Sequence, residues 1–283
     1  MTHQFHFEYL SKEEFTSRKN LLKEIKDGKI SGVVVKEFFT VPQANTMVKN
    51  FKDERFEKFQ LPFNQGATYP TVFGHVYKQA QHRPDAIAAY YENSHQFYLD
   101  FEKNFGVDAS SMLQQAFEAI AGGRPVKIPT GATGSGLYAF STFRDLNTEN
   151  GEMPLHHDLN YADFSPATYH HLHNIVGISN RFAFFAMLQK PEAGGELTIF
   201  DITRTETKNQ IDDLQLESIT GKILHIEKDI AHTSLNMETG DLLLFDAGNI
   251  WHRVEKVRGN IHRITFGGFI CFTDNEDEIY YWS

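Results

Sequence analysis

The sequence predicts an α+β protein in which helices pack against a single β-rich core of the sandwich or barrel type. Up to residue 123 the apolar and aromatic residues recur at helical spacing, whereas from residue 126 onward short β-rich runs alternate with turn residues. Helices first and strands second is the order expected of an α+β fold. We therefore predict one domain, residues 1–283, with mainly helical support and a lid in 1–123 and the β-core in 124–283.

The first elements follow from local patterns. Apolar residues at helical spacing indicate a surface helix within residues 11–30, and a β-rich run follows at residues 32–39. Thr40 and Gln43 stand at the capping-box spacing, so a helix is expected from there to about Phe56.

Residues 57–83 lack a sustained period and contain Gly and Pro, which predicts a long irregular segment. Such segments form lids or binding walls in some proteins and plain connectors in others. Two aromatic-rich helices are expected next, at residues 84–105 and 110–120, and glycines follow both of them. The predicted strands are residues 137–143, 153–160, 181–188, 196–200, 222–227, 241–245, 251–257 and 261–272.

Composition limits the class of partner and the compartment. The net charge of −10 argues against a nucleic-acid or anionic-membrane surface, since either needs clustered Lys and Arg. No run approaches the ~18 apolar residues of a membrane span, and the first residues lack the pattern of a signal peptide. The single cysteine, Cys271, excludes an intramolecular disulfide and a Cys-based zinc site. We expect a cytoplasmic protein that acts on a small molecule.

The main chemical signal is a His-x-Asp motif, His156 and Asp158, within residues 154–160. If this stretch is a strand, both side chains point to one face and His157 points to the other. Together with His252 they would complete the 2-His-1-carboxylate triad that holds non-haem Fe(II) and leaves positions open. The alternative is a set of core polar residues that are satisfied by hydrogen bonds, because the motif also arises by chance among 14 histidines.

A candidate anion site lies downstream of the third histidine. Arg263 and Thr265 have the same parity on a predicted strand, so a guanidinium and a hydroxyl would face one cavity. Arginine binds a carboxylate through two parallel hydrogen bonds, which makes this pair a suitable seat for a remote carboxylate. Arg144, on a strand before the motif, would reach a cosubstrate or a substrate; a solvated edge charge is the alternative.

This combination closely resembles the Fe(II)/2-oxoglutarate-dependent oxygenases. Residues 124–131, 190–197, 265–269 and 279–283 further resemble the freestanding halogenases of hapalindole-type alkaloid pathways, a group that includes hydroxylases of N-acylated amino acids. The resemblance implies a double-stranded β-helix (jelly roll, cupin-like) core buttressed by N-terminal helices. It also implies iron bound by His156, Asp158 and His252, with 2-oxoglutarate chelating the iron at one end and held by Arg263 at the other, and O₂ as the oxidant.

This chain departs from those halogenases at one of the metal-ligand positions. They carry glycine where this chain has Asp158, and the glycine leaves an iron position open for chloride. We therefore predict hydroxylation of an unactivated aliphatic C–H of a small molecule, such as a free or N-substituted amino acid, with release of succinate and CO₂. The alternatives are the same chemistry on an alkaloid or nucleoside-type metabolite, and a non-catalytic cupin-like sensor that binds metal.

Further residues are expected around the substrate and at the surface. The aromatic C-terminal run at residues 280–282 either docks on its own domain or covers the partner in a homodimer, and the His-rich run at residues 170–173 is expected to be a polar face. The candidate substrate contacts are Phe73, Gly74, His75, Asn160 and Phe164.

Overall fold

A ten-stranded, largely antiparallel sheet is the central element of this mixed α+β structure. The computed structural model describes residues 5–62, 71–73, 84–132, 134–149, 151–159, 170–176 and 181–283. The helices are α1 (Lys12–Ser17), α2 (Leu21–Lys26), α3 (Val41–Phe51), α4 (Pro84–Leu99), α5 (Phe101–Phe105), α6 (Ala109–Ile120), α7 (His170–His173) and α8 (Ile226–Asp229), and 3-10 turns occur at Glu54–Phe59 and Arg204–Glu206.

The strands form three sheets. The ten-stranded sheet runs β1-β2-β14-β8-β16-β6-β4-β3, with β17 between β16 and β5; the second sheet is β13-β9-β15-β7 and the third is β10-β11-β12. The strands are β1 (Phe7–Leu10), β2 (Gly32–Val35), β3 (Gln60–Pro62), β4 (Thr71–Phe73), β5 (Val126–Lys127), β6 (Thr142–Leu146), β7 (Met153–His156), β8 (Phe182–Gln189), β9 (Leu197–Thr203), β10 (Thr207–Asp212), β11 (Gln215–Ser218), β12 (Ile223–His225), β13 (His232–Leu235), β14 (Leu242–Phe245), β15 (Ile250–Val254), β16 (Arg263–Phe272) and β17 (Ile279–Trp282).

The two faces of the main sheet bury different cores. Phe184 and Phe266 belong to the cluster under the N-terminal helices, which also contains Phe117 of α6. Phe185, one residue along β8, belongs to a second cluster that it shares with Ile199 of the four-stranded sheet. This alternation follows from the pleat of the strands. The space between the two sheets is therefore closed on one side by a sheet that the helices support.

The N-terminal part differs from the single surface helix expected at residues 11–30. Two short helices occupy this stretch, because Arg18 leaves the helical conformation at φ −85° and ψ 76°. Its guanidinium pairs with Glu8 of β1 and Glu24 of α2, which fixes the break. The apolar stripe of α2 is buried rather than exposed. The adjacent strands β1 and β2 extend the main sheet by a parallel pair.

Some predicted helix boundaries match the structure, among them the ends at Phe105 and Ile120, and others do not. The capping box of Thr40 and Gln43 is present, as predicted, but α3 ends at Phe51 and a 3-10 turn follows. The single helix expected over residues 84–105 is two helices, which are separated at Asp100. Gly106 ends α5 in the left-handed region at φ 74°, a conformation that glycine adopts without strain.

Several strands escaped the sequence analysis for a physical reason. The sheet of β10, β11 and β12 is polar and largely exposed, so it lacks the apolar alternation from which strands are inferred. The run at residues 222–227 forms only β12 and then turns into α8, and the run at 137–143 becomes strand only from Thr142. The C-terminal aromatic run is β17, which pairs with β16 and thus docks on its own domain. No helix in the described part of the chain is long and apolar enough to cross a membrane.

Candidate metal centre

Two histidines of the predicted triad are direct cross-strand neighbours. Strands β7 and β15 are antiparallel, and their register places His156 opposite His252. Residues directly opposite in such a pair point to the same face of the sheet. Accordingly the two imidazole rings lie 4.3 Å apart between centroids. Cross-strand pairing thus brings together two ligands that are far apart in the sequence.

The carboxylate reaches the histidines through a turn. The prediction of a continuous strand over residues 153–160 is wrong, because β7 ends at His156 and Asp158 lies in the turn that follows. After His156 the chain leaves β15 and pairs instead with the loop before that strand: the Asp158 N–H donates to the Ala247 carbonyl at 2.8 Å. Asp158 Oδ1 lies 3.8 Å from His156 Nε2. One ligand atom from each of the three residues lies within 4.8 Å of the others.

Backbone carbonyls orient both imidazole rings in the same way. His156 Nδ1 lies 2.6 Å from the Pro154 carbonyl, and His252 Nδ1 lies 2.8 Å from the Ile250 carbonyl. In the tautomer with the proton on Nδ1, each ring donates to the carbonyl two residues earlier. Each Nε2 then keeps its lone pair for a metal, which is the usual arrangement of metal-binding histidines.

Burial makes the triad unfavourable without a cation. Asp158 is 6% exposed and His252 is 4% exposed. Burial raises the pKa of Asp158, against the lowering effects of His156, Arg181 and Arg144. Burial likewise lowers the pKa of His252 well below its ordinary value. Among the described residues, no donor hydrogen-bonds to the Asp158 carboxylate. A divalent cation would hold the carboxylate ionised and both imidazoles neutral, so these donors fit Fe(II).

Arg263 is a buried cation at the start of β16. It is 4% exposed, and its Nε has no hydrogen-bond partner. The guanidinium carbon lies 5.2 Å from the centre of the Phe185 ring. Burial, together with the charge of Arg144, lowers the pKa of Arg263 to about 10. A buried guanidinium is expensive unless an anion pairs with it, so this position suits the remote carboxylate of a dicarboxylic acid.

Arg144 and Thr265 lie beside Arg263 on paired strands. Thr265 is 2% exposed and pairs directly with Arg144 of β6. The charge of Arg144 affects the pKa of both Asp158 and Arg263. Because β6 lies between β16 and β4, Arg144 is a half-buried charge inside the sheet rather than a solvated edge charge. The structure therefore brings these three residues together next to the triad.

Two glycines in the loop before β9 allow close packing, and one of them, Gly195, lies against Arg263. A Cβ on Gly195 would lie 2.9 Å from Pro191 Cγ and 3.0 Å from Arg263 Cδ. A Cβ on Gly194 would lie 1.9 Å from the Lys256 carbonyl oxygen. Gly194 thus allows the loop to approach the Lys256 backbone, and Gly195 allows it to pack against the stem of Arg263.

We expect Gly195→Ala to loosen the anion site as well as the fold. Alanine at φ +70° costs about 1–2 kcal/mol, and its methyl group would displace Arg263. Chemical denaturation should show this loss, and the KM for 2-oxoglutarate should rise. Gly221→Ala is the control, since its φ is +82° but nothing lies within 4 Å of its Cβ. An equal KM in both variants would refute the packing argument.

Of the remaining residues considered in the sequence, the histidines have contacts away from the triad, and the substrate candidates lie, wholly or by their side chains, outside the described residues. His157 points away from the triad and packs edge-on against Trp251 at 4.6 Å, and burial lowers its pKa to about 3. His171 of the His-rich run contacts the Tyr138 hydroxyl at 3.1 Å, and no second metal-type cluster occurs among the described residues. Phe73 lies in β4, but its side chain falls outside the described residues, as do Gly74, His75, Asn160 and Phe164.

The sequence analysis missed Arg181. This residue precedes β8, is 3% exposed and donates from Nη1 to the Asp158 carbonyl at 3.1 Å. Its position depends on the turn after β7, which local patterns did not predict. The available signal was one arginine at the head of a wholly apolar run, Phe182–Leu188, where a charge is unusual.

Comparison with known proteins identifies the family. A family model described as carrier-protein-independent halogenase WelO5 matches residues 4–283. The chain belongs to this family. The predicted resemblance to the freestanding halogenases is confirmed, and so is the class of enzyme, which uses iron and 2-oxoglutarate. A comparison with curated protein sequences gives no significant match.

Solved structures similar to this WelO5-family chain have low sequence identity to it. One is a novel N-substituted L-amino acid dioxygenase from Burkholderia ambifaria AMMD in complex with alpha-KG, with 14% identity, a TM-score of 0.51, and coverage of 92% of this chain and 89% of that chain. Another is the non-heme alpha ketoglutarate dependent epimerase SnoN from nogalamycin biosynthesis, with 12% identity, a TM-score of 0.48, and coverage of 89% and 85%.

Proposed function

We propose that this member of the halogenase family is a hydroxylase that uses Fe(II) and 2-oxoglutarate to oxidise an aliphatic C–H of a small molecule. The observation that carries the proposal is the position of the Asp158 carboxylate. One of its oxygens lies within 4.8 Å of a ring nitrogen of His156 and of His252. A third protein ligand occupies the position that a halide would need. The family name describes halogenation, so the proposal concerns the outcome of the reaction rather than its class.

The assignment of roles follows from the contacts. His156, Asp158 and His252 would hold the iron, whereas Arg263 and Thr265 would bind the remote carboxylate of 2-oxoglutarate. The charge of Arg144 acts on both Asp158 and Arg263. Arg144 would therefore face the iron-bound end of 2-oxoglutarate. Bound iron and 2-oxoglutarate supply the oxidising power: O₂ converts the 2-oxo acid to succinate and CO₂ and provides the oxygen atom of the hydroxyl group.

The protein groups perform three tasks in this reaction. The Pro154 and Ile250 carbonyls hold the imidazoles with Nε2 toward the metal. The buried guanidinium fixes one end of the cosubstrate and thereby its orientation. The apolar packing of Phe245 against His252, at 5.1 Å between rings, keeps water from one side of the metal ligands.

We also infer the finer architecture and the substrate class from the family match and from the likeness to the Burkholderia dioxygenase. The two facing sheets would be a jelly-roll core within one domain of residues 1–283, with mainly helical support and a lid in 1–123. A free or N-substituted amino acid is the proposed substrate class, which the likeness to the Burkholderia dioxygenase supports. We place the enzyme in the cytoplasm.

Succinate release tests the proposal directly. Purified protein with Fe(II), 2-oxoglutarate and O₂ should form succinate slowly alone and faster with N-acyl aliphatic amino acids, and mass spectrometry should show addition of one oxygen atom. Alkaloids and nucleosides belong in the same panel, since stimulation by these alone would change the substrate class. Absence of succinate in every condition would favour a metal-binding sensor.

Arg263→Gln should raise the KM for 2-oxoglutarate by roughly 10- to 100-fold, because a charge-assisted hydrogen bond contributes about 1.5–3 kcal/mol. The variant should bind iron as the unchanged protein does, since Arg263 is not a metal ligand. Initial rates of succinate formation against 2-oxoglutarate concentration measure the effect. An unchanged KM would show that another residue holds the remote carboxylate.

A further inference from the structure

Arg181 is a buried guanidinium beside the triad that none of the roles above uses. Its Nη1 donates to the backbone carbonyl of Asp158 at 3.1 Å, and its Nε has no hydrogen-bond partner in the described part of the chain. Among the residues that the structure describes, no carboxylate forms an ion pair with it. A neutral carbonyl does not compensate a charge that is 3% exposed. A bound anion would stabilise this buried guanidinium.

The Asp158 carboxylate, which lies near Arg181, has another partner. Burial raises the pKa of Asp158, and the charge of Arg181 opposes that rise. Once this carboxylate binds iron(II), a divalent cation takes up its charge. Arg263 lies with Thr265 on β16 and has the cosubstrate as its anion. Arg181 is thus left as a cation at the metal without a counter-charge of its own.

A half-buried aromatic ring adjoins this guanidinium. The Arg181 guanidinium carbon lies 4.8 Å from the centre of the Phe269 ring, and that of Arg144 lies 6.0 Å from it. Phe269 shares the strand face of Arg263 and Thr265, and it is the one residue of β16 that is not buried. The half-buried ring therefore lies beside both guanidinium groups, on the strand face that carries Arg263 and Thr265.

We propose that Arg181 binds a carboxylate of the substrate and orients it over Phe269 toward the iron. This inference rests on the proposed function and adds to it the group by which the substrate is recognised. A guanidinium stacked on a ring keeps its N–H groups in a fixed plane, which suits a planar carboxylate. The bond to the Asp158 carbonyl ties this subsite to the turn that carries a metal ligand, so the bound substrate and the metal keep a constant relation.

Matched acids and amides test the subsite. N-acetyl-L-leucine and N-acetyl-L-leucinamide, with the corresponding valine and isoleucine pairs, are titrated without O₂ into protein that holds Fe(II) and 2-oxoglutarate, and the visible charge-transfer absorption reports binding. We expect the acids to bind at least about tenfold tighter than the amides. In Arg181→Gln this ratio should fall to roughly one, and Arg181→Lys should keep part of it.

Controls separate recognition from a structural role. Arg258→Gln, at an exposed arginine away from the site, should keep the full acid-to-amide ratio. A phosphate monoester of a short alcohol, in place of the acids, shows whether the subsite takes carboxylates or oxyanions in general; tighter binding of the monoester contradicts the carboxylate assignment. If Arg181→Gln does not fold, the wild-type ratio and the lysine variant still decide.

The outcomes also separate this inference from the proposed function. Failure of every acid to bind better than its amide, or an unchanged ratio in Arg181→Gln, overturns the role of Arg181 even when the enzyme forms succinate. A raised KM for 2-oxoglutarate with an unchanged ratio would assign Arg181 to the cosubstrate instead. Absence of any succinate from the wild-type protein, measured separately, would count against the proposed function.

Discussion

Asp158→Ala should lose at least about 100-fold in hydroxylation and should bind Fe(II) weakly, because the loss of a direct ligand exceeds the 10- to 100-fold effects of outer residues. The carboxylate is the one anionic ligand of the triad, and among the described residues no donor hydrogen-bonds to it. Removal of it leaves two neutral imidazoles for a divalent cation. Anaerobic iron titration and succinate-coupled product formation measure the two losses independently.

The comparison needs controls for charge and for stability. Asp158→Asn keeps the size of the side chain and removes its charge, so it should lose iron affinity almost as fully. Asp213→Ala, at an exposed aspartate, should behave as the wild type does. Thermal unfolding without metal should show that the Asp158 variants remain folded, since a buried carboxyl that must otherwise be desolvated is removed. Full hydroxylation by Asp158→Ala would refute the triad.

A short pattern in the sequence predicted two members of the triad, whereas the third, His252, is brought to them by cross-strand pairing. His156 and Asp158 are two residues apart, so either a strand or a turn can bring both side chains to one metal ion. Arg263 and Thr265 keep their parity because β16 is a long regular strand on which they lie two residues apart. The family match extends over nearly the whole chain and confirms the resemblance that these residues carried.

Other features depend on contacts that no local pattern encodes. The turn after His156 depends on the hydrogen bond of the Asp158 N–H to the Ala247 carbonyl, and Arg181 contacts the site through this turn. The break between α1 and α2 depends on ion pairs of Arg18 with residues on two other elements. Polar strands such as β10 form because a neighbouring hairpin strand pairs with them, not because their residues alternate.

Asp158→Gly should admit chloride to the metal and yield some chlorinated product beside greatly diminished hydroxylation. The substitution removes the ligand that fills the halide position. It also leaves the positive charges of Arg144 and Arg181, both of which act on this position, so the local field favours an anion. Glycine in the turn costs about 0.5–1 kcal/mol of conformational entropy, which a stable domain tolerates.

Two measurements decide whether the carboxylate alone excludes the halide. Chloride titration of the Fe(II)- and 2-oxoglutarate-loaded variant should change its visible absorption, whereas the wild type should not respond, and mass spectrometry should detect the chlorine isotope pattern in the product. Adding Arg181→Gln to Asp158→Gly should weaken chloride binding several-fold, because one guanidinium charge is lost. If Asp158→Gly never binds halide and hydroxylates at the wild-type rate, Asp158 is neither a metal ligand nor the residue that distinguishes this chain from the halogenases.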